Sequence, residues 1–326
     1  MKALITGAGG FMGLHLIDLL KSQNVEVFST YYNSLWNPKL LEQRGYAWEL
    51  DVRDRRMFKT VLHYFRPDVV YHLAAQSYPT ISWEKPNETM DINVNGTINL
   101  FESLRELKLN PVVMVAGSSA EYGFVNEEEV PVREDHELKP LHPYGVSKVA
   151  QEMLAYQYFK NFGMRAITIR IFNTTGPGKV NDVCSDFTRQ IAMASMGRLD
   201  KITVGNLNTR RTITDVRDCV RAFYLATENC KPGEAYNMSG SSAYKVEDIL
   251  HKAFVISGIE PEVLVNERLL RPTDEPIIYG DSSKLEKATG WKQEIPLVKT
   301  LEGMINFWNG KISRGEDERS HSQYYK

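Results

Sequence analysis

Short apolar runs alternate with longer amphipathic segments along the first half of the chain. Five runs without polar alternation predict strands buried on both faces, at residues 3–6, 25–30, 68–73, 111–116 and 165–172. Apolar positions that recur every three to four residues predict helices between them, at residues 11–22, 55–65, 87–107 and 144–162. Strands that alternate with helices predict an α/β fold with a mostly parallel, doubly wound sheet.

The alternation gives way to loops and shorter elements from about residue 174. Helices at residues 217–228, 246–257 and 297–309 and a late strand at residues 234–238 are predicted there. We therefore expect a larger domain over residues 1–173 and about 212–239. A smaller C-terminal lobe would comprise about 174–211 and 240–312. Residues 313–326 are polar and aperiodic and predict a frayed tail.

Composition and charge are typical of a globular chain and exclude several classes of protein. The 326 residues are 42% hydrophobic and 25% charged, and a formal net charge of −2 attracts neither nucleic acid nor an anionic membrane. Three cysteines without CxxC spacing and seven histidines without HExxH spacing predict neither a disulfide framework nor a metal site. The apolar runs are too short to predict a membrane span, and the first residues do not predict a signal peptide. We expect a cytoplasmic protein with neither a membrane nor a nucleic-acid partner.

A glycine-rich loop connects the first predicted strand to the first predicted helix. Gly7 permits a tight turn, Gly10 lets the main chain approach a pyrophosphate, and Gly13 allows close packing of the helix. Phe11 and Met12 begin that helix, whose N-terminal amides would face the phosphates. Because the loop follows a strand and opens a helix, it predicts a Rossmann-type dinucleotide site rather than a glycine turn without a ligand.

The second predicted strand ends without the carboxylate that usually binds the adenosine ribose of NAD. Tyr31 stands near that position, and residues 30–33 contain neither an acid nor an arginine. The lack of a repelling carboxylate favours NADP(H), with NAD(H) as the alternative. Farther along, Asp51 beside Val52 is a candidate acceptor for the adenine amino group. The alternative role for Asp51 is to cap the helix that begins near Arg53.

Two side chains suited to proton transfer are spaced four residues apart. Tyr144 and Lys148 share one face of a predicted helix, where the ammonium would lower the pKa of the phenol. Ser118 follows the fourth predicted strand, at the end of a doubly wound sheet where ligands bind. We interpret the three as a catalytic set in which Ser118 binds a substrate carbonyl or alkoxide, rather than as an exposed helix face.

With these motifs the chain resembles the extended short-chain dehydrogenase/reductase superfamily that acts on nucleotide sugars, from Gly7 to about Trp291. The resemblance implies that Tyr144 donates a proton, that Lys148 binds the nicotinamide ribose, and that Ser118 orients the reacting oxygen. It also implies a homodimer formed through the two long helices. The coenzyme surface that it implies includes Leu73, Ala74 and Ala75. The substrate surface that it implies comprises Ser119, Asn173, Arg211, Arg271 and Asp274.

One position separates the branches of this superfamily. In its 4,6-dehydratases, a glutamate two residues after the catalytic hydroxyl abstracts a sugar proton. Here that position is Ala120, and Glu121 is displaced by one residue. The resemblance therefore implies reduction of a GDP-linked 6-deoxy-4-keto sugar. The alternatives are a dehydratase that uses Glu121, a nucleotide-sugar 4-epimerase, and a non-catalytic regulator that senses NAD(P).

Overall fold

The computed structural model of the chain describes residues 1–269 and 275–316. The strands in it are, in chain order, β1 (Lys2–Thr6), β2 (Glu26–Tyr31), β3 (Tyr46–Glu49), β4 (Val69–His72), β5 (Val112–Ser118), β6 (Arg165–Ile171), β7 (Thr174–Thr175), β8 (Lys201–Val204), β9 (Arg210–Thr212), β10 (Thr214–Asp215), β11 (Ala235–Met238), β12 (Ala243–Lys245), β13 (Glu262–Val265) and β14 (Ile277–Ile278). The α-helices are α1 (Phe11–Ser22), α2 (Pro38–Glu42), α3 (Arg55–Phe65), α4 (Pro79–Glu84), α5 (Pro86–Met90), α6 (Gly96–Glu106), α7 (Pro143–Phe162), α8 (Val183–Ser195), α9 (Val216–Asn229), α10 (Val246–Ser257), α11 (Ser283–Thr289) and α12 (Leu297–Ser313).

A seven-stranded parallel sheet carries the candidate site, with the strand order β11-β6-β5-β4-β1-β2-β3. The chain runs outward from β1 to β3, and then returns to place β4, β5, β6 and β11 on the other side of β1. The order therefore reverses between β1 and β4, which opens a crevice at the carboxyl ends of these strands. The predicted Rossmann-type α/β sheet is confirmed.

Helices cover both faces of this sheet. On one face, α1 and α9 bury Leu16, Ile17 and Phe223. On the other face, α3 and α6 bury Phe58 and Phe101, and α7 packs beside them. Each such side chain contributes about 1.5–3 kcal/mol when it is fully buried. The two apolar layers therefore fix the strands and hold the strand ends in register.

A separate apolar core belongs to the later part of the chain. Helices α8, α10 and α12 enclose Phe187, Leu250 and Leu301, and small two- and three-stranded sheets flank them. This cluster fits the smaller C-terminal lobe, although the bounds proposed for the two domains stay a prediction. In the described ranges, 1–269 and 275–316, no helix has the length and apolar character needed to cross a bilayer.

The helix predicted over residues 87–107 is interrupted. A π-helical turn, Asp91–Asn95, lies between α5 and α6. The buried Asn93 side chain accepts a hydrogen bond from the Gln76 amide at 2.8 Å and donates one to Ser147 Oγ at 2.8 Å. The wide turn therefore places Asn93 between the loop after β4 and helix α7. This is a tertiary contact that an apolar periodicity does not reveal.

Other differences concern short elements and helix ends. The apolar pattern predicts neither α8 nor α11. Helix α12 runs to Ser313, four residues beyond the predicted end at residue 309. Most of the predicted tail, residues 317–326, lies outside the described residues.

Candidate active site

The glycine loop is packed against the end of β4. Gly7 has a φ of +69°, and a Cβ there would lie 2.6 Å from the Cα of Ala74. A Cβ at Gly13 would lie 1.9 Å from the main-chain oxygen of Ala8, so the first turn of α1 is as close to the loop as predicted. Gly10 precedes α1, and no side chain caps its N-terminus. The loop thus presents main-chain amides at the crevice.

A tryptophan that the sequence motifs do not single out lies against this loop. The indole nitrogen of Trp36 donates to the Gly10 oxygen at 3.0 Å, and the Leu35 amide donates to the Gly9 oxygen at 2.7 Å. The Trp36 ring also fills the space beside Gly178, where a Cβ would lie 2.4 Å from a ring carbon. The segment after β2 therefore connects the glycine loop to the turn that follows β7.

The candidate adenine site contains an ion pair. Asp51 accepts hydrogen bonds from the Arg53 amide at 2.9 Å and from the Arg53 guanidinium at 2.6 Å. The hydrogen bond from Arg53 lowers the pKa of Asp51 below its ordinary value. The alternative that Asp51 caps the following helix is wrong, because Asp54 is the N-cap of α3 and accepts from the Met57 amide. Asp51 is partly exposed.

The other predicted coenzyme residues follow strands of the same sheet. Tyr31 is the last residue of β2 and is partly buried, and Val52 is buried one residue after Asp51. Residues 73–75 follow β4 directly, and the Leu73 amide donates to the main-chain oxygen of Thr6. Their position at the crevice agrees with the prediction, whereas their contact with a coenzyme stays a prediction.

The three predicted catalytic residues meet where β5 ends. A hydrogen bond joins the side chains of Ser118 and Tyr144. The Lys148 ammonium lies 5.7 Å from the centre of the Tyr144 ring and donates to the Ala116 oxygen at 2.9 Å. Helix α7 begins directly before Tyr144 because Pro143 occupies its first turn and the His142 side chain caps it. The sequence spacing therefore does place phenol, ammonium and hydroxyl together.

The pKa values of Tyr144 and Lys148 are both changed by burial, and that of Tyr144 differs from the prediction. Burial raises the pKa of Tyr144 to about 12, and the hydrogen bond from Ser118 only partly offsets that increase. The predicted lowering of the Tyr144 pKa is therefore wrong for this state of the protein, because burial disfavours the charged phenolate. Burial also lowers the pKa of Lys148 to about 8. At neutral pH the site holds a protonated phenol beside a charged lysine.

The two residues that decide between branches differ in burial: Ala120 is partly buried and Glu121 is fully buried. Ala120 lies in the short 3₁₀ turn after Ser118 and carries no acid. Glu121 is fully buried, and its Oε1 accepts the Ser118 amide at 2.6 Å. Its carboxylate is thus held under the end of β5 and does not reach the crevice surface.

The predicted substrate residues are only partly brought together. Ser119 follows Ser118, and Asn173 follows β6, the neighbour of β5 in the sheet. The Nδ2 of Asn173 is buried and has no hydrogen-bond partner within the described part of the chain. Arg211 lies on β9 and donates to the Glu275 oxygen at 2.8 Å. Arg271 and Asp274 lie outside the described residues.

Together these groups form a site suited to proton transfer at a substrate oxygen. The phenol of Tyr144 and the hydroxyl of Ser118 can both donate hydrogen bonds to one oxygen, and a carbonyl there would be polarised. The adjoining glycine loop offers donors for an anionic group.

Comparison with known proteins agrees with this geometry. Residues 4–304 match the family model described as GDP-mannose 4,6 dehydratase. The chain belongs to this family. It is accordingly an enzyme of the nucleotide-sugar branch of the short-chain dehydrogenases/reductases, and the resemblance inferred from its motifs is confirmed.

Individual relatives of this family member have different activities. A GDP-6-deoxy-D-mannose reductase from Pseudomonas aeruginosa is 29% identical over 76% of this chain and 82% of its own. GDP-mannose 4,6 dehydratase 2 from Arabidopsis thaliana is 28% identical over 93% of this chain and 86% of its own. The solved structure of RMD from Pseudomonas aeruginosa, complexed with NADPH, is 27% identical, has a TM-score of 0.85, and covers 95% of this chain and 99% of that one.

Proposed function

We propose that the protein reduces the C4 ketone of GDP-4-dehydro-6-deoxy-D-mannose to give GDP-D-rhamnose, with NADPH as coenzyme. The observation that carries this proposal is the set Ser118, Tyr144 and Lys148 beside a glycine loop, with alanine at residue 120. Carbonyl reduction needs a hydrogen-bonded proton donor and a hydride donor, but no base for a sugar carbon. The similarity to a reductase from Pseudomonas aeruginosa supports the same choice.

The glycine loop fits the pyrophosphate of such a coenzyme. No side chain caps the N-terminus of α1, and its first turn contains no acidic residue. The Lys179 ammonium lies 5.0 Å from the centre of the Phe11 ring and adds positive charge at the same helix end. A diphosphate anion is stabilised by such amides and charge. When bound, NADPH supplies the hydride for the reduction.

The choice of NADPH over NADH rests on the end of β2. Tyr31 takes the place at which a carboxylate would repel a 2′-phosphate. The negative charge of Asp51 is balanced by its ion pair with Arg53, with 2.6 Å between the charged atoms. The NADPH complex of the similar Pseudomonas aeruginosa structure supports this preference, and NADH is the alternative.

The residues of the chain perform the rest of the reaction. Ser118 and Tyr144 hydrogen-bond the C4 oxygen of the keto sugar, and the phenol transfers its proton to that oxygen as the C4 carbon is reduced. The Lys148 ammonium stabilises the phenolate that remains. Asn173 and Arg211 bind the diphosphate of the GDP group, and the family resemblance adds Arg271 for the diphosphate and Asp274 for the ribose, both outside the described residues.

An apolar face on α7 is the surface through which the protein is proposed to form a homodimer. Val146, Met153 and Tyr156 are each more than two-fifths exposed, and their spacing puts them on one side of the helix. Replacement of Met153 by glutamate is expected to give a monomer in size-exclusion chromatography with light scattering. The same substitution at the more exposed Val255, on α10, is the control. A wild-type monomer would contradict the dimer.

The direct test is oxidation of NADPH by the purified protein with GDP-4-dehydro-6-deoxy-D-mannose, run beside GDP-mannose alone. Oxidation with the keto sugar only, and formation of GDP-D-rhamnose, are the expected results. A keto product from GDP-mannose would instead identify a dehydratase and contradict the argument from Ala120. Epimerised nucleotide sugar without net oxidation of the coenzyme would identify a 4-epimerase. Parallel assays with NADH determine the coenzyme preference.

A further inference from the structure

A buried acid lies directly beneath the candidate catalytic serine. Glu121 is completely inaccessible to solvent, and its Oε1 accepts the Ser118 amide at 2.6 Å. A Cβ at Gly117 would lie 2.7 Å from the same oxygen. The carboxyl group therefore supports the main chain at the point where β5 turns to present the Ser118 hydroxyl.

Two further charged groups adjoin this acid. Arg170, on β6, makes two hydrogen bonds to Glu152, on α7, at 2.6 and 2.8 Å. Its guanidinium is 3.8 Å from Oε2 of Glu121, which is too far for a hydrogen bond. The three side chains are at most 7% exposed. Arg170 therefore pairs with Glu152, and Glu121 Oε2 has no hydrogen-bond partner among the described residues.

Among the described residues, no second cation makes a hydrogen bond to this cluster. Arg170 also donates to the hydroxyl of Tyr122 at 2.7 Å and to the main-chain oxygen of Glu134 at 3.0 Å. The Lys148 ammonium interacts with Glu121 electrostatically, but its hydrogen bond goes to the Ala116 oxygen. If both carboxyl groups were ionised, the buried cluster of Glu121, Glu152 and Arg170 would carry a net negative charge, which is costly in a protein interior.

We propose that Glu121 is a neutral, protonated positioning residue: its Oε1 accepts the Ser118 amide, and its Oε2 carries a proton that it donates toward Glu152. The inference rests on the proposed function only in its catalytic consequence. The proton gives the otherwise unpartnered Oε2 a partner and leaves one anion opposite one guanidinium. An uncharged group thereby fixes the main chain of Ser118, and with it the position of the Ser118 hydroxyl.

The charge of Glu121 affects the pKa values of Tyr144 and Lys148. Burial, and then the nearby Glu152, raise the pKa of Glu121 well above its ordinary value. An ionised Glu121 would raise the pKa values of both Tyr144 and Lys148. A neutral Glu121 therefore leaves Tyr144 a stronger acid, which suits a residue that must give up its proton.

Three substitutions test whether Glu121 acts as a neutral acid or as a carboxylate. Glu121→Gln keeps an acceptor for the Ser118 amide and a donor toward Glu152, so kcat is expected within about threefold of the wild type. Glu121→Leu lacks both groups, and the displaced Ser118 lowers kcat about a hundredfold with little change in KM for the keto sugar. Glu128→Gln, in an exposed turn, is the unaffected control. A Glu121→Gln enzyme as impaired as Glu121→Leu, or a fully active Glu121→Leu enzyme, overturns the proposal.

An infrared measurement tests the proton without any substrate. At neutral pH, the wild type and Glu128→Gln should show the carbonyl stretch of a buried protonated carboxyl group, and Glu121→Gln should lack it. Absence of this band from the wild type overturns the proposal even if Glu121→Leu does not fold. If the band is present but the keto sugar is not reduced, the proposed function fails and the protonation of Glu121 stands.

The pH dependence of stability gives a second readout. Because the pKa of Glu121 is raised on folding, its stabilising contribution is present below the unfolded-state value of 4.5 and is lost as the pH rises toward the folded-state value. The urea midpoint of the wild type should therefore fall relative to that of Glu121→Gln as the pH is raised above 4.5. A difference that stays constant with pH contradicts the inference.

Discussion

The ammonium of Lys148 donates to the main-chain oxygen of Ala116 at 2.9 Å, two residues before Ser118 on the same strand. This bond ties helix α7, which carries Tyr144, to the strand that carries the serine. It also keeps the lysine in a buried position, where its pKa is lowered to about 8. The charge on the lysine therefore changes within a range of pH that enzyme assays can reach.

The reduction should slow at alkaline pH. Lys148 is charged below its pKa, and the charge stabilises the phenolate that Tyr144 becomes, so kcat/KM should fall as the pH rises through about 8. Tyr144 stays protonated over the same range because burial raises its pKa to about 12. Initial rates of NADPH oxidation with the keto sugar, measured between about pH 6 and about pH 10, test this.

An arginine variant provides the control for that profile. The guanidinium of a Lys148→Arg protein keeps its charge throughout, since its ordinary pKa is above about 12. Its remaining activity should show no decline near pH 8. A profile that declines in the same way in both proteins would assign the titration to another group.

Tyr144→Phe should lose turnover and keep coenzyme binding. Loss of a positioned proton donor lowers kcat by about 100- to 10,000-fold. The phenyl ring retains the contacts of the tyrosine ring, so the Kd for NADPH should change little. Stopped assays for GDP-D-rhamnose and a fluorescence titration of NADPH measure the two quantities. Tyr64→Phe, at an exposed position on α3, is the matched control. Unchanged turnover in Tyr144→Phe would exclude this residue as the proton donor.

Trp36 should affect coenzyme affinity without touching the reacting atoms. Trp36→Phe removes the hydrogen bond to the Gly10 oxygen and should weaken NADPH binding about two- to tenfold, the scale of one hydrogen bond. Trp36→Ala also removes the ring beside Gly178 and should weaken binding further. Trp48→Phe, on β3, gives the background effect of losing an indole. Equal affinities for all four proteins would show that the loop is held by other contacts.

Two glycines with similar φ angles should respond differently to alanine. Gly7 and Gly163 have φ values of +69° and +66°, but only Gly7 has backbone atoms within reach of an added Cβ. Gly163→Ala should cost about 1–2 kcal/mol of unfolding free energy from the left-handed conformation alone. Gly7→Ala adds a collision with Ala74 and should cost about 3 kcal/mol or more. Urea denaturation measures both, and equal costs would refute the role given to the Ala74 contact.

Much of the larger domain could be predicted from local patterns. The β1 strand, the glycine loop and α1 are adjacent in the sequence, so their apolar runs and glycine spacing contain the information that folds them. The same holds for Tyr144 and Lys148, because a helix fixes the relation of residues four apart. Predictions of this kind succeed where one element determines the geometry.

Features that depend on contacts between distant segments could not be predicted. Arg170 and Glu152 surround Glu121 only after β6 and α7 pack beside β5, and no motif marks these residues. The π-helical turn at Asn93 likewise depends on Gln76 and Ser147. The prediction for the pKa of Tyr144 is wrong for a related reason: sequence spacing shows the ammonium but does not show the burial that raises this pKa.

The segment after β2 has a consequence for attempts to exchange the coenzyme. The first residues of such a loop face the adenosine ribose, so a change of coenzyme would involve this segment. In this protein Leu35 packs both on the core beneath α1 and on the cluster that includes Trp308 of α12, while Trp36 contacts both Gly10 and Gly178. A loop graft would therefore loosen the support of the C-terminal elements as well. Substitutions confined to residues 31–33 would leave these contacts intact, whereas Ser34 hydrogen-bonds both the Gly9 oxygen and the Trp36 amide.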